Sequence, residues 1–268
     1  IIALPSTAHN GNISRIVSSF SEGSGVATTR GDINFIVTEY GIAELQGKSI
    51  YQRVIEIAQI AHPRFRENLI KIARKHHYIF IGQLPPAKGD LMFLENYKST
   101  MTLVSGKVIH FRPILPSDEL ASRNFLYSLK KETLYQRFFS EFISHEQVNK
   151  QWADIEYHNN IAIIGLVQRG GHKEIMAIGS YARMNETTVE VGFVVREDFQ
   201  GHGVCGHLLQ VLEKIALENG FKKFSATMLS TNKNMAKVFL KRFPGAELDY
   251  DDSEVYVTMD LLESAEAP

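Results

Sequence analysis

The chain is short of cysteine, and Cys205 is the only one in 268 residues. A single thiol excludes an internal disulfide and favours a reducing cytoplasm. Long apolar runs are also absent, since none approaches the roughly 18 residues of a membrane-spanning helix. The net charge of −1 supplies no basic surface for nucleic acid. We therefore predict a cytoplasmic protein that binds neither membrane nor nucleic acid.

The length and composition are those of a two-domain globular protein. Apolar side chains make up 44% of the residues, enough to bury a sizeable core in each half. The prolines Pro85 and Pro86, with glycines on both sides, indicate a stiff linker at about 82–90. We predict a first domain over 1–105 and a second over 106–268. The chain opens on an apolar run without Met, so we expect it to be a piece of a longer protein.

One stretch of the second half, residues 188–206, carries the strongest functional signal. Thr188 to Val195 predicts a strand, and apolar residues at three- and four-residue steps from Val204 predict a helix that stops at Asn219-Gly220. Three glycines lie around the start of that helix: Gly201, Gly203 and Gly206. Such a loop presents unpaired N–H groups and the positive end of the helix dipole. The first helical turn contains no acid, so the loop is suited to a phosphate.

The same glycines also fit the dinucleotide fingerprint G-x-G-x-x-G, so the two interpretations must be separated. That fingerprint needs its first glycine at the strand end and an acid at the end of the next strand. Here five residues follow Val195 before Gly201, and the next predicted strand, Lys223 to Leu229, contains no acid. A Walker-type loop fails because no Gly-Lys-Ser/Thr follows. A tight turn without a ligand remains the simplest alternative.

The loop resembles the acetyl-CoA loop of the GNAT acetyltransferase superfamily, Q/R-x-x-G-x-G/A. Gln200-Gly201-His202-Gly203-Val204-Cys205 fits it, except that Cys205 stands where Gly or Ala is usual. The resemblance runs from about Val108 to Leu262 and includes Tyr135-x-Arg137-Phe138-Phe139 and Asn232-x-Asn234-Met235, a pattern similar to the branch that acetylates protein lysines. It implies an α/β (α+β) fold, a mixed, mostly antiparallel sheet flanked by helices. It also implies acetyl-CoA as co-substrate, without a metal.

The resemblance further implies which residues contact acetyl-CoA. They are Val194, Val195, Gln200, Gly201, His202, Gly203, Val204, Cys205, Gly206 and Asn234. In the superfamily a backbone N–H of the strand before the loop polarises the thioester carbonyl, and Val194 is a plausible donor. Asn232 and Asn234 cap the following helix by default, and the superfamily often uses an asparagine here to reach the coenzyme.

Glu190 is the candidate general base, because it is the one acid on an otherwise apolar strand. We expect it to be buried, which would favour the neutral carboxyl and suit a base working near neutral pH. The resemblance places the superfamily's catalytic Glu at this same position. The alternative is a solvated glutamate on the sheet surface. Gly192, two residues on, indicates either a β-bulge or a ligand close to the backbone.

The favoured function is an acetyl-CoA-dependent N-acetyltransferase that acts on protein lysine by direct transfer. Phe239 stands where many members carry a Tyr general acid, so that proton donor is absent. An alternative is that Cys205 is a nucleophile that accepts the acyl group. Its place in the phosphate loop, away from the expected thioester carbonyl, instead favours a role as a small packing residue. Two other classes stay open: an acetyl-CoA-sensing module of an acyl-CoA transferase, and an enzyme for a small amine. Five acids from Glu247 to Glu254 either attract a lysine-rich acceptor or form a solvated hairpin.

Residues 1 to about 100 resemble a different family, the C-terminal end of the acetyl-CoA hydrolase/transferases, of the 4-hydroxybutyrate CoA-transferase type. The segments that carry this are Ser14 to Val17, Thr28 to Asp32, Val37 to Ser49 and Ile60 to Arg66. In that family the catalytic Glu and the coenzyme pocket lie upstream of the matching segment. The resemblance thus implies a partial open α/β lobe without transferase activity of its own, in which Glu39 and Glu44 make structural hydrogen bonds.

Local signals predict several further helices. Ser49 should cap one helix, and Pro63 should open another that ends near Lys75. Ser117 should cap a third, to about Lys130, and Trp152 should face the core from a helical region at 145–155. His76 and His77 are adjacent and point apart, so we expect no metal there.

Overall fold

The computed structural model describes residues 1–79, 96–140, 144, 159–170 and 172–262. They form two compact units, one of Ile1–Asn96 with Leu115–Glu119 and one of Tyr97–Ile114 with Leu120–Pro268. The predicted linker at 82–90 and the helical region around Trp152 lie outside the described residues, and the predicted domain boundary stays a prediction. No helix of the described ranges is long and apolar enough to cross a membrane.

The first unit is built from short strands and two helices. Its strands are β1 (Ile2–Ala3), β2 (Thr7–Ala8), β3 (Ile13–Ser14), β4 (Phe35–Thr38) and β5 (Gly41–Glu44), and its helices are α1 (Ile50–Gln59) and α2 (Pro63–Lys75). β4 pairs with β1 in parallel and with β5 in antiparallel orientation, while β2 and β3 form a separate pair. The partial α/β character expected of this region is therefore present.

Both predicted helix starts of the first unit are confirmed. Ser49 accepts a hydrogen bond from Gln52 N–H in a complete capping box, and Pro63 opens α2, which ends at Lys75. The two helices pack through one apolar cluster that includes Ile55 and Ile70. Glu39 accepts hydrogen bonds from the N–H and the hydroxyl of Ser6 at 2.8 and 2.5 Å, the structural use expected of it.

The prediction that Ser117 caps a helix is wrong. The Ser117 hydroxyl donates to the buried carboxylate of Glu56 at 2.7 Å, and Lys48 pairs with the same oxygen at 2.8 Å. A 3-10 turn occupies Pro116–Asp118, and Asp118 accepts from the N–H of Leu115 at 2.8 Å. Helix α3 therefore begins at Glu119 and ends at Tyr127. A buried carboxylate that needs a donor outweighs the local capping preference of Ser117.

The second unit contains an eight-stranded sheet. Its strands are β6 (Ser99–Thr102), β7 (Val108–Pro113), β8 (Asn160–Arg169), β9 (His172–Arg183), β10 (Thr188–Val195), β11 (Lys223–Leu229), β12 (Glu247–Asp251) and β13 (Glu254–Asp260). The spatial order is β12-β13-β11-β10-β9-β8-β7-β6. Only the β10–β11 pair is parallel among the described strands of this sheet. The predicted mixed, mostly antiparallel sheet is confirmed.

Helices cover both faces of this sheet. They are α4 (Lys131–Phe138), α5 (Val204–Glu218) and α6 (Lys233–Arg242). The apolar stripe of α5, which includes Leu208 and Ile215, is fully buried against β9 and β10. Phe193 of β10 faces that helix, so the alternate side chains of β10 face the other way, where α4 packs against β10 and β11.

Candidate functional site

The glycine loop has the backbone that its sequence predicts. After β10 the chain makes a 3-10 turn at Glu197–Phe199, and Gly201 and Gly203 follow with φ values of 75° and 81°. Such left-handed conformations favour glycine. Gly203 is the N-cap residue of α5 and offers no side chain to its first N–H groups, and the first turn carries no acid. These amides are therefore available to an anion.

Side chains fix the turn that leads into the loop. Gln200 donates from its amide nitrogen to the carbonyl oxygen of Val195 at 2.8 Å, which ties the loop to the end of β10. Arg196 pairs with Asp198 at 2.7 Å and lies over the buried ring of Phe199. The loop thus leaves the sheet in a defined direction, with Gly201, His202 and Gly203 exposed and Val204 buried.

A gap opens in the sheet beside the loop. The parallel pairing of β10 with β11 ends at Glu190–Ser225, although β10 continues to Val195 and β11 to Leu229. Beyond the last pair, the edge of β10 that faces β11 is bonded to no described strand. Two neighbouring parallel strands that separate in this way leave backbone N–H and C=O groups open to an extended ligand.

The direction of each amide in this gap follows from three hydrogen bonds. Met184 N–H donates to Thr188 O, and Arg196 N–H donates to Met176 O, so even-numbered residues of β10 bond to β9. Odd-numbered residues face β11, as the bond from Lys223 N–H to Thr187 O shows. The N–H of Val194 therefore points to β9, which corrects the expectation that it serves as the donor. Phe193 and Val195 carry the amides that face the gap.

Glu190 stands at the last paired position, at the mouth of the gap. The expectation that it is buried is wrong, because its side chain is exposed. The apolar residues next to Glu190 in sequence do not make it buried, because side chains alternate along a strand. Val189 and Val191 face α5, while Glu190 lies on the opposite face of β10. An exposed carboxylate is accessible to a large partner.

The guanidinium of Arg137, from α4, lies against Gly192. A Cβ atom on Gly192 would come within 3.0 Å of three guanidinium atoms. No register shift interrupts the β9–β10 pairing at this point, so of the two alternatives for Gly192, a β-bulge or a close ligand, this pairing shows no bulge. The close approach that the glycine indicated is made by Arg137. The sequence alone assigned Arg137 no separate role. The one feature that set it apart was its position as a cation among Tyr135, Phe138 and Phe139.

Comparison with known proteins identifies this unit. Residues 130–243 match the profile of the acetyltransferase (GNAT) family. The crystal structure of the GNAT domain of S. lividans PAT superposes with a TM-score of 0.54 at 25% identity and covers 62% of this chain and 97% of that domain. We refer to the unit that contains this match as the GNAT domain.

The two halves of the chain match different proteins, as the sequence predicted. Acetyltransferase Pat of Mycolicibacterium smegmatis is 26% identical over 178 residues, which are 66% of this chain and 48% of Pat. Residues 1–73 match the acetyl-CoA hydrolase/transferase C-terminal domain. The 4-hydroxybutyrate coenzyme A transferase of Clostridium kluyveri is 45% identical over 75 residues, 28% of this chain. The chain spans 18% of the length of that transferase and about half of Pat.

Helix α6 of the GNAT domain begins beside the glycine loop. The sulfur atoms of Cys205 in α5 and Met235 in α6 are 3.8 Å apart. Asn232 caps α6 by accepting from the N–H of Met235 at 3.1 Å, while Asn234 is exposed on its first turn. Asn232 is thus committed to the cap, while Asn234 keeps its side chain exposed.

Two residues of the GNAT domain depart from the chemistry of the superfamily. Phe239 is buried and packs with its ring 6.3 Å from that of Phe193, so no hydroxyl is offered there. Burial raises the pKa of the Cys205 thiol to about 12.

In the described ranges, no group of three His, Cys, Asp or Glu residues could hold a metal ion.

Helix α4 is anchored to the segment that leads into the loop. Its N-cap residue Lys130 has no capping side chain of its own. The carboxylate of Glu197 replaces it, accepting from Lys130 N–H at 2.8 Å and from the Thr133 hydroxyl at 2.5 Å. Burial acts to raise the pKa of Glu197, but these bonds outweigh it, and the pKa lies below its usual value. Glu197 therefore joins the helix of Arg137 to the loop.

Proposed function

We propose that the GNAT domain is an acetyl-CoA-dependent N-acetyltransferase that acts on protein lysine by direct transfer, with Glu190 as general base. The observation that carries this is the gap between β10 and β11, with an accessible carboxylate at its mouth and a glycine loop at its end. The three features lie on one strand and its continuation. Together they offer a place for a thioester, for its diphosphate and for an amine.

The residues present fit the parts of acetyl-CoA. The amides of residues 201–206 and the N-terminus of α5 suit the diphosphate, because backbone N–H groups and the helix dipole both favour an anion. The gap-side amides of Phe193 and Val195 suit the pantetheine arm and the thioester carbonyl, whose oxygen gains negative charge in the reaction. Asn234 lies on the helix whose start touches the loop.

Glu190 supplies the proton transfer that a lysine acceptor needs. A lysine ammonium has a pKa of about 10.4 in solution and must lose a proton before it can attack. The Glu190 carboxylate takes that proton, directly or through a water. The amine then forms the C–N bond as the C–S bond breaks. Of the two protons that the nitrogen loses, one neutralises the thiolate of CoA and one leaves with solvent.

Direct transfer is favoured over an acyl-cysteine intermediate. The thiolate is the nucleophilic form of cysteine. With a pKa of about 12, Cys205 is almost entirely protonated at neutral pH. Its sulfur also lies 3.8 Å from the sulfur of Met235, on the first turn of α5.

A protein lysine suits the surface around Glu190. The carboxylate is exposed, so an acceptor side chain can reach it from a macromolecule. The predicted acidic hairpin is confirmed as β12 and β13, and Asp249, Asp251 and Asp252 are exposed on it. A negative surface favours encounter with lysine-rich segments. The similarity to acetyltransferase Pat supports the same class of activity.

The test uses the full chain with acetyl-CoA and a mixture of proteins, and detects acetyl-lysine by mass spectrometry. Glu190→Gln should lower turnover by about 10²- to 10⁴-fold, the usual contribution of a general base. The acetyl-CoA dissociation constant, measured by calorimetry, should change by less than about twofold. Glu186→Gln is the matched control, because Glu186 is exposed in the turn before β10. Unchanged turnover in Glu190→Gln would refute the base assignment.

The second candidate is an acetyl-CoA sensor, which the missing hydroxyl at Phe239 favours. A sensor would bind acetyl-CoA and leave neither proteins nor small amines labelled. Labelled small-molecule products with unlabelled proteins would instead identify a small-amine acetyltransferase. Either result would replace the protein-lysine assignment while leaving the coenzyme site intact.

A further inference from the structure

We propose that Arg137 is a positioning residue that holds the Glu190 carboxylate in its working orientation at the mouth of the β10–β11 gap. This rests on the proposed function, in which Glu190 is the base. Arg137 touches neither the thioester nor the amine in this arrangement. It acts through Glu190, and the structure supports that in three ways.

The first support is the place of the guanidinium. It lies against Gly192, which is on the same face of β10 as Glu190 and two residues beyond it. Successive side chains on one face of a strand are about 7 Å apart, within the reach of two long side chains. Glycine at position 192 is what allows the guanidinium to come this close to the strand.

The second support is charge. The guanidinium is desolvated, which lowers the pKa of Arg137, and the negative charge of Glu190 acts in the opposite direction. Arginine remains protonated in proteins even so. The ring of Phe138 also lies near it, with its centroid 5.2 Å from the guanidinium carbon. A desolvated cation is costly without an anion, so the Glu190 carboxylate is drawn toward it.

The third support is the need for orientation. An exposed glutamate has three rotatable bonds and loses rotamer entropy when it is fixed for proton transfer. The planar fork of arginine matches a carboxylate and is pre-organised. No residue of helix α4 is fully buried. Glu197 accepts hydrogen bonds at its N-terminus, and Arg137 near its C-terminus lies against Gly192 of β10.

The experiment is a double-mutant cycle in the full chain. Arg137→Gln should lower kcat about tenfold, leave the acetyl-CoA dissociation constant within about twofold, and leave thermal stability nearly unchanged. Arg137→Lys should restore part of the lost kcat, because it keeps the charge without the fork. In the Glu190→Gln background, Arg137→Gln should change kcat by less than about twofold. Arg183→Gln, at the exposed end of β9, is the matched control.

Two outcomes would overturn the proposal. An equal tenfold loss from Arg137→Gln with and without Glu190 would mean that Arg137 acts independently of the carboxylate. Wild-type kcat in Arg137→Gln, with Glu190→Gln strongly impaired, would remove Arg137 and leave the proposed function standing. Wild-type kcat in Glu190→Gln would instead reject the base, and with it both proposals.

Discussion

Replacing Gly192 by alanine is the sharpest perturbation that the structure suggests, because it moves a guanidinium without altering a charge. The new methyl group would lie within 3.0 Å of three atoms of Arg137. Those atoms end a flexible side chain, so Arg137 can swing away at little cost to the fold. We expect a change in unfolding free energy below about 1 kcal/mol, smaller than the 1–3 kcal/mol of overpacking in a rigid core.

The catalytic effect of Gly192→Ala should exceed the effect on stability. Displacing the Arg137 guanidinium from its place against Gly192 should lower kcat about tenfold, or roughly 1.4 kcal/mol of transition-state free energy. In an Arg137→Ala background the same glycine substitution should have almost no further effect, because the displaced group is already gone.

Steady-state kinetics on the wild type, Gly192→Ala, Arg137→Ala and the double variant, with thermal melts on each, check this expectation. Gly25→Ala is the matched control, since a Cβ there meets nothing within 4 Å and its φ is ordinary. A large loss of stability in Gly192→Ala, or an equal loss of kcat with and without Arg137, would refute the reasoning.

Three further predictions concern the loop and its neighbours. Cys205→Ala should keep kcat within about twofold, because a thiol with a pKa of about 12 is not the nucleophile; loss of labelled product would contradict this. Gly203→Ala should weaken acetyl-CoA binding by at least about tenfold in calorimetry, since φ of 81° strains the loop amides, and an unchanged affinity would move the diphosphate elsewhere. Glu197→Gln should destabilise the chain by about 1 kcal/mol at neutral pH. The pKa of Glu197 is depressed by folding, so this difference in thermal melts should be full above the ordinary carboxyl pKa and vanish as pH falls through the folded one.

The elements that local sequence determines could be predicted. The spacing of Val204, Leu208 and Ile215 predicts α5, which Gly220 ends with a φ of 85°. Ser49 and Pro63 mark helix starts because their capping effects need only neighbouring residues. The left-handed conformation of the loop glycines could also be predicted, because a positive φ angle is a local requirement that favours glycine.

Features that depend on distant partners could not be predicted. Strand β6, Ser-Thr-Met-Thr, has no alternation of apolar residues and exists because it pairs with β7. Ser117 has the chemistry of a cap, yet the buried carboxylate of Glu56 takes its hydroxyl. The exposure of Glu190 depends on how much of its face of β10 helix α4 covers. The contact of Arg137 with Gly192 depends on a helix some 50 positions earlier in the chain.

The carboxylate of Glu197, which bridges the loop segment and α4, has a consequence for how ligands at these two places affect each other. The 3-10 turn that carries Glu197 leads into the glycine loop. The Glu197 carboxylate accepts hydrogen bonds from the start of α4. We expect a ligand that orders the loop to order the start of α4 as well. Thermodynamic linkage is reciprocal, so a ligand on α4 would then change the affinity at the loop by the same factor. Two chemically different ligands, one at the loop and one on α4, would thus be coupled through the Glu197 side chain without touching each other.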